Sequence, residues 1–196
     1  MKRIFDVVAS GLGLLVLSPF FLLLAVWIKL DSAGSVFYRQ VRVGRYNRNF
    51  RLFKFRSMRV GSDKKGLITV GGRDPRVTRS GYFIRKYKLD ELPQLINVLL
   101  GDMSLVGPRP EVRKYVEMYT SEQLHVLDVR PGITDMASIR YRNENELLAE
   151  AEDPEAYYIR EIMPDKLKIN LEYVAKHSFW FDMNLIFKTI TEVVTK

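Results

Sequence analysis

Two adjacent carboxylates, Asp90 and Glu91, follow Arg85, Lys86 and Lys88 and precede Pro108-Arg109-Pro110. Cations around a carboxylate pair suit a phosphate-bearing ligand, whose oxygens they would neutralise beside the acids. Adjacent acids are common on surfaces, and it is the neighbouring cations that single this pair out. A Pro-Arg-Pro run restricts the backbone around an arginine whose planar fork suits phosphate oxygens. The chain has no cysteine, and His125 and His177 lie far from each other. Thiol nucleophiles, thiolate metal sites and disulfides are therefore absent, and neither histidine has a partner at metal-ligand spacing. Chemistry has to come from carboxylates, hydroxyls and cations.

The elements around the pair can be read from pattern. From Asp90, Leu92, Leu95, Ile96, Leu99 and Leu100 recur at helical spacing, with Pro93 tolerable in the first turn and Gly101 as the stop. That places the acids at a helix start, where free backbone donors favour an anion such as phosphate. Ser35–Arg42 and Asn49–Arg56 read as short strands around the turn-like Gly44-Arg45-Tyr46-Asn47. Residues 61–81, with Gly61, Gly66, Gly71, Gly72, Gly81 and Pro75, read as a loop that matches neither a phosphate loop nor a dinucleotide fingerprint.

The net charge of +8 is unevenly spread, because residues 39–88 carry 16 Lys or Arg against only Asp63 and Asp74. That stretch is +14 and the remainder −6. It suits a polybasic patch on anionic lipid, a pocket for a phosphate-rich ligand, or nucleic acid. No recognisable nucleic-acid module accompanies it, so no nucleic-acid partner is expected. Residues 144–165 are acidic, and their expected role is a solvated face. Two helices should follow, Asp165–Lys176 and Phe179–Val194. Phe179-Trp180-Phe181 between them suits either a headgroup interface or a core cluster.

The solvent is set at the other end. Residues 7–28 are 22 consecutive uncharged residues, roughly 33 Å as one helix and long enough to cross a bilayer core. Ser18-Pro19 interrupts the run, and proline kinks or breaks a helix. Basic residues flank both ends, Lys2 and Arg3 before it and Lys29, Arg39 and Arg42 after it. A helix-break-helix hairpin that returns to the same side keeps both basic ends in the cytoplasm, with the Ser18 hydroxyl available to a freed carbonyl. A kinked span is the other reading, and a signal peptide or a buried helix fits the bulky Phe20-to-Trp27 continuation less well. The expected fold is α+β and mainly helical. Residues 1–32 form the membrane-anchoring hairpin, and residues 33–196 form one cytosolic domain at the membrane surface with short strands and interfacial amphipathic helices.

The succession Lys2-Arg3-Ile4-Phe5-Asp6, Ser18-Pro19, Phe53-Lys54-Phe55-Arg56-Ser57-Met58, Leu89-Asp90-Glu91-Leu92-Pro93-Gln94, Asn97-Val98-Leu99, Gly101 to Pro110 and Arg130-Pro131-Gly132-Ile133-Thr134 resembles the bacterial sugar transferase family, the monotopic phosphoglycosyl transferases. The resemblance covers nearly the whole chain, and at 196 residues it is to the small members. It implies transfer of a sugar 1-phosphate from a UDP-sugar to undecaprenyl phosphate, with release of UMP, as the first membrane step of glycan assembly. The implied location is the cytoplasmic face of the bacterial inner membrane. It further implies Asp90 as a covalent nucleophile and Glu91 as a ligand of Mg2+, the expected cofactor. Lys54, Arg85, Arg109, Arg130 and Arg142 are candidate phosphate or substrate contacts. Partners beyond substrates and lipid would be a second copy of the chain or downstream glycosyltransferases.

The chain departs from the family pattern at three places. Asp135-Met136-Ala137-Ser138 stands where many members have Gly-Trp-Ala-Gln, Lys88 where many have Ser, and Asn170 where many have Asp. Two other functions compete. One is a catalytically silent membrane adaptor that uses the basic stretch, and the other an ordinary glycosyltransferase that releases UDP.

Overall fold

The computed structural model describes residues 1–62, 66, 68 and 74–194. In chain order these are α1 (Lys2–Asp31), β1 (Phe37–Val43), β2 (Asn49–Phe55), α2 (Arg79–Lys86), a 3-10 turn (Leu89–Glu91), α3 (Gln94–Leu100), β3 (Ser104–Val106), α4 (Arg113–Val116), a 3-10 turn (Gln123–Asp128), β4 (Gly132–Thr134), α5 (Met136–Arg140), α6 (Glu144–Glu150), α7 (Pro154–Tyr157), a π turn (Tyr158–Ile162), α8 (Met163–Lys176) and α9 (Phe179–Val194). The protein is mainly helical, with two small sheets. β1 and β2 form an antiparallel hairpin in which Tyr38 pairs with Lys54, and β3 lies parallel to β4. Tyr46 and Asn47 take φ of 56° and 59° in the hairpin turn, a left-handed conformation that asparagine tolerates better than most residues.

The local signals for α8 and α9 hold to within two residues, and Gly101 ends α3 at φ 95°, as a left-handed cap should. Three expectations need correction. Asp90 and Glu91 lie in the 3-10 turn ahead of α3 and not in the helix itself, because Lys88 adopts φ 56° and turns the chain just before them. The acidic stretch 144–165 is not merely a solvated face, since Leu148, Tyr158, Ile162 and Met163 form a core with Val112, Tyr115, Val126 and Leu167. Phe179-Trp180-Phe181 divides its roles: Phe179 meets Phe5 edge-on, Trp180 is 79% exposed, and Phe181 packs beside Tyr173. In the 61–81 loop, Met58 pairs with Val77, and Arg76 donates to the Gly66 and Ile68 carbonyls. Gly71 and Gly72 lie outside the described residues.

The apolar run is one helix, α1, with Pro19 inside it, where the sequence predicts two helices with a break. Proline deprives the Leu15 carbonyl of its usual donor, and the Ser18 hydroxyl supplies one at 2.8 Å. α1 is long and apolar enough to cross a membrane, and its most apolar stretch is only 11% buried. Both of its ends are fixed to the rest of the molecule. At the start, Lys2 pairs with Asp182 of α9 and donates to the Val106 carbonyl at 2.9 Å. Asp6, 3% exposed, accepts from Ser104 Oγ at 2.8 Å and the Leu105 N–H at 3.2 Å. At the far end, Leu24 and Ile28 pack with Phe55 and Ile84, and the Arg56 guanidinium donates to the Ile28, Ser32 and Ala33 carbonyls.

Candidate active site

Four elements meet at the carboxylate pair. The turn Leu89–Glu91 is anchored by Leu89, which packs against the Phe55 and Ile84 cluster. β2 delivers Lys54, and its register is held by Asn97 of α3, whose amide oxygen accepts from the Phe53 N–H at 2.9 Å while its amino group donates to the Arg51 carbonyl at 2.8 Å. Arg109 is carried by Pro108-Arg109-Pro110. That segment is tied to the β3/β4 sheet by the Gly132 N–H on the Pro108 carbonyl at 3.0 Å and to β1 by Arg42 Nη1 on the Pro110 carbonyl at 3.1 Å.

The two acids live in opposite electrostatic settings. Arg109 grips Glu91 with both terminal nitrogens, one of them at 3.1 Å, and Lys54 Nζ lies 3.3 Å from the same carboxylate. Burial favours the neutral form of Glu91, but the Arg109 and Lys54 charges outweigh it and hold the carboxyl well below the usual range. Asp90 is 7% exposed, and no hydrogen bond to its carboxylate is found among the described residues. Burial raises its pKa, with Lys54 pulling it down and the Glu91 charge pushing it further up. Burial likewise lowers Lys54, and Glu91 partly restores it. The arrangement is a buried carboxylate without a hydrogen bond to a described residue beside one held by two cations.

The pair lines a cleft of about 980 Å3. Of the residues singled out from the sequence, the structure brings Lys54, Arg85, Asp90, Glu91, Arg109 and Arg142 to this cleft. Arg130 is placed elsewhere: its Nε donates to the Gly101 carbonyl at 3.0 Å, beyond the C-terminus of α3. Ser18 and Pro19 lie within α1, away from the cleft lining. Sequence reasoning missed Arg42, which lines the cleft and pairs with Glu111 at 2.8 Å, and Lys166, which lines it and pairs with Glu144 at 2.7 Å. The signal for Arg42 was its position in β1 opposite the strand that carries Lys54; for Lys166, four residues before the departure at Asn170, there was none. At the departures, Asp135 is buried and caps α5 through the Ser138 N–H at 2.9 Å. Asn170 is buried with its Oδ1 unpartnered, and Lys88 sets the left-handed turn before the acids.

Glu91 is the candidate metal ligand. Among the described residues no group of three or more His, Asp or Glu could close around a cation. Magnesium needs no such cage, since it is commonly held by one or two carboxylates with waters and substrate phosphates completing its shell. Asp90 and Glu91 at the wall of an open cleft are donors of the kind that ion takes, and Glu91, whose two oxygens Arg109 engages, would hold it through their remaining lone pairs.

A model of the family described as bacterial sugar transferase matches residues 1–196. The chain is similar to the UDP-N-acetylgalactosamine-undecaprenyl-phosphate N-acetylgalactosaminephosphotransferase of Aeromonas hydrophila, 40% identical over 100% of this chain and 44% of that protein. It is also similar to the UDP-glucose:undecaprenyl-phosphate glucose-1-phosphate transferase of Escherichia coli, 40% identical over 97% of this chain and 39% of that protein. A protein of the same description from Caulobacter vibrioides is 35% identical over 99% of this chain and 70% of its own length. The chain thus spans less than half the length of the first two relatives.

Proposed function

This chain belongs to the bacterial sugar transferase family, and we propose that it moves a sugar 1-phosphate from a UDP-sugar to undecaprenyl phosphate through an aspartyl intermediate on Asp90. The observation that carries this reading is the contrast within the dyad. Asp90 is buried and makes no hydrogen bond to a described residue, whereas Glu91 is held by Arg109 and Lys54. A carboxylate free of hydrogen bonds is the better nucleophile, because no such bond has to be broken on attack.

An Asp90 carboxylate oxygen attacks the phosphorus that bears the sugar. A P–O bond forms, the bond to the other phosphoryl group breaks, and UMP departs with that electron pair. Lys54 and Arg85, whose charges already act on Asp90, offset the charge that builds on the equatorial oxygens. Arg109 pairs with Glu91 and keeps that carboxylate ionised. Glu91 would hold Mg2+, which when bound supplies Lewis-acid neutralisation of phosphoryl charge. In the second half, a phosphate oxygen of the lipid attacks the same phosphorus, the acyl phosphate bond breaks, and Asp90 leaves as the free carboxylate. The product is a polyprenyl diphosphate sugar, the first membrane-bound species from which a glycan is extended.

The same elements support the membrane placement proposed here. A straight span would put the ends of α1 on opposite sides of a hydrocarbon core about 30 Å thick. Contacts of Lys2 and Asp6 at one end and of Ile28 and Ser32 at the other, all with the same domain, favour a helix that dips into one leaflet, bends at Ser18-Pro19 and returns. The face is the cytoplasmic one of the inner membrane, where nucleotide sugars are available.

The test is the released nucleotide. UMP, with loss of turnover in Asp90→Asn and a phospho-sugar adduct seen by intact mass on the wild type without acceptor, is the expected result. UDP would indicate ordinary glycosyl transfer. No turnover with any UDP-sugar in a panel would indicate the adaptor.

A further inference from the structure

The cleft is not uniform. Around Asp90 it is cationic, with Lys54, Arg85 and Lys88 in its wall. Its wall also has an apolar part: Leu92 and Leu95 from the segment that starts α3, Leu105 and Ile133 from the small parallel sheet, and Ile186 and Ile190 from α9. These are continuous surfaces. Leu105 and Ile133 pack on the cluster of Leu52, Val98 and Met103, and Leu105 and Ile186 pack together on Val106 and Leu185. A contact between the Thr134 and Thr189 hydroxyls, 2.6 Å apart, fastens α9 to β4 beside them.

Ile190 belongs to two surfaces at once. It lines the cleft, yet it is 53% exposed, and one turn earlier on the same stripe Phe187 is 68% exposed. Helical residues three apart are neighbours, so the exposed apolar stripe of α9 runs without a break over Ile190 into the cleft. The remaining exposed apolar surface is dominated by α1, with Leu15, Val16, Leu22 and Leu23 all at least two-thirds exposed. The exposed apolar stripe of α9 therefore leads into the cleft whose wall also holds the cations beside the carboxylate pair.

We infer that the trough between α3 and α9 is the seat of the acceptor's hydrocarbon tail, with its phosphate against the Lys54 and Arg85 end and its chain leaving over Ile190. The inference rests on the reaction proposed above and adds where the acceptor lies. Two features select this occupant over a second protein. The trough ends in fixed positive charge, which complements a phosphate monoester, and its other end opens on apolar surface, which complements a chain already in lipid. A nucleotide sugar has no apolar chain to fill it. Ile190 and Ile186 are then specificity-determining residues for the acceptor.

The two half-reactions separate the outcomes. With UDP-sugar and no lipid, the wild type should release one UMP per protein, and Ile190→Glu and Ile186→Trp should give the same burst. With acceptor added, both variants should show an acceptor KM raised at least about 10-fold, the scale of losing one apolar side-chain contact, at unchanged donor KM. Wild-type preference for longer over two-isoprene acceptors should disappear in Ile190→Glu, which sits at an exposed position and is not expected to disturb folding. Phe187→Glu, on the stripe but outside the cleft, should weaken binding to lipid vesicles without changing acceptor KM in detergent. Unchanged acceptor KM in both isoleucine variants, or an equal effect of Phe187→Glu in detergent, would overturn the trough. Absence of any wild-type burst would overturn the aspartyl mechanism and the inference that rests on it.

Discussion

Arg109 does two things for one residue: it lies in the cleft wall and it keeps Glu91 ionised. Replacing it by Ala should lose on the order of 10²-fold or more in kcat, the usual scale for removing a preorganised charge donor, and Arg109→Lys should recover only part, since a point charge cannot bridge both Glu91 oxygens. Wild-type rates in Arg109→Ala would make its role purely structural. Glu91→Gln should raise the Mg2+ concentration needed for half-maximal turnover, and full activity in excess chelator would remove the metal from the scheme. Asp74 has its pKa lowered, chiefly by the Arg76 hydrogen bonds. A carboxylate depressed in the folded state contributes stability above its unfolded pKa of about 3.9, and that contribution is lost as pH falls through the lower folded value. Asp74→Asn should therefore narrow the gap in Tm between pH 7 and pH 3, whereas an unchanged gap would show that the pair is energetically idle.

Elements carry the pair through Asn97. Its side chain satisfies a backbone donor and a backbone acceptor of β2 and lies 3.2 Å from Asp102, so Asn97→Ala leaves buried polar groups unpaired. A loss of about 1–3 kcal/mol is expected, read as a lower denaturation midpoint, with Lys54 released from its register and turnover falling further than stability alone explains. Legibility divides along the same line. The hairpin, Gly101 and the last two helices were readable because turn chemistry and periodicity act within a few residues. Asn97 was quoted in the sequence only as part of a motif, and its partners lie 44 and 46 residues away, where no local rule reaches. Arg130 shows the converse: a conspicuous motif named it, and its guanidinium lies on the Gly101 carbonyl at the end of α3, outside the cleft lining. The acidic stretch misled because charge density hid the spaced Leu148, Tyr158 and Ile162 that enter the core.

For the whole molecule, the placement of α1 decides where the cleft sits relative to lipid. A cysteine inserted ahead of Lys2 and another at Ser35 should both react from the cytoplasmic side only, and the absence of native cysteine makes that labelling unambiguous. Far-side labelling of the first would establish a span and would break the Lys2–Asp182 pair seen in the structure. Replacing Ser18 and Pro19 by Ala and Leu removes both the helix breaker and the hydroxyl that serves Leu15, which should straighten α1 and lower acceptor-dependent turnover more than the UMP burst. Gly34 limits how the helix joins the domain. At φ 125° it occupies backbone space denied to other residues, and a Cβ there would lie 2.1 Å from Arg56 Nη1. Gly34→Ala should accordingly loosen the Arg56 grip on the end of α1.

The mooring of Lys2 and Asp6 also sets an order in time. Asp6 binds Ser104 and Leu105, which a ribosome produces 98 and 99 residues after it, whereas Lys2 binds Asp182, produced 180 residues after it. At a synthesis rate of about 5–20 residues per second, the first helix waits roughly 10 to 35 seconds between its own emergence and that of Asp182. For roughly the first half of that interval, until Ser104 and Leu105 emerge, the Asp6 carboxylate has no protein partner and stays in water. The apolar stretch can meanwhile enter lipid, but the charged start cannot follow it deeply. Docking of Lys2 on α9 thus follows docking of Asp6 on β3, and a nascent chain stopped before α9 would hold Asp6 but leave Lys2 without Asp182.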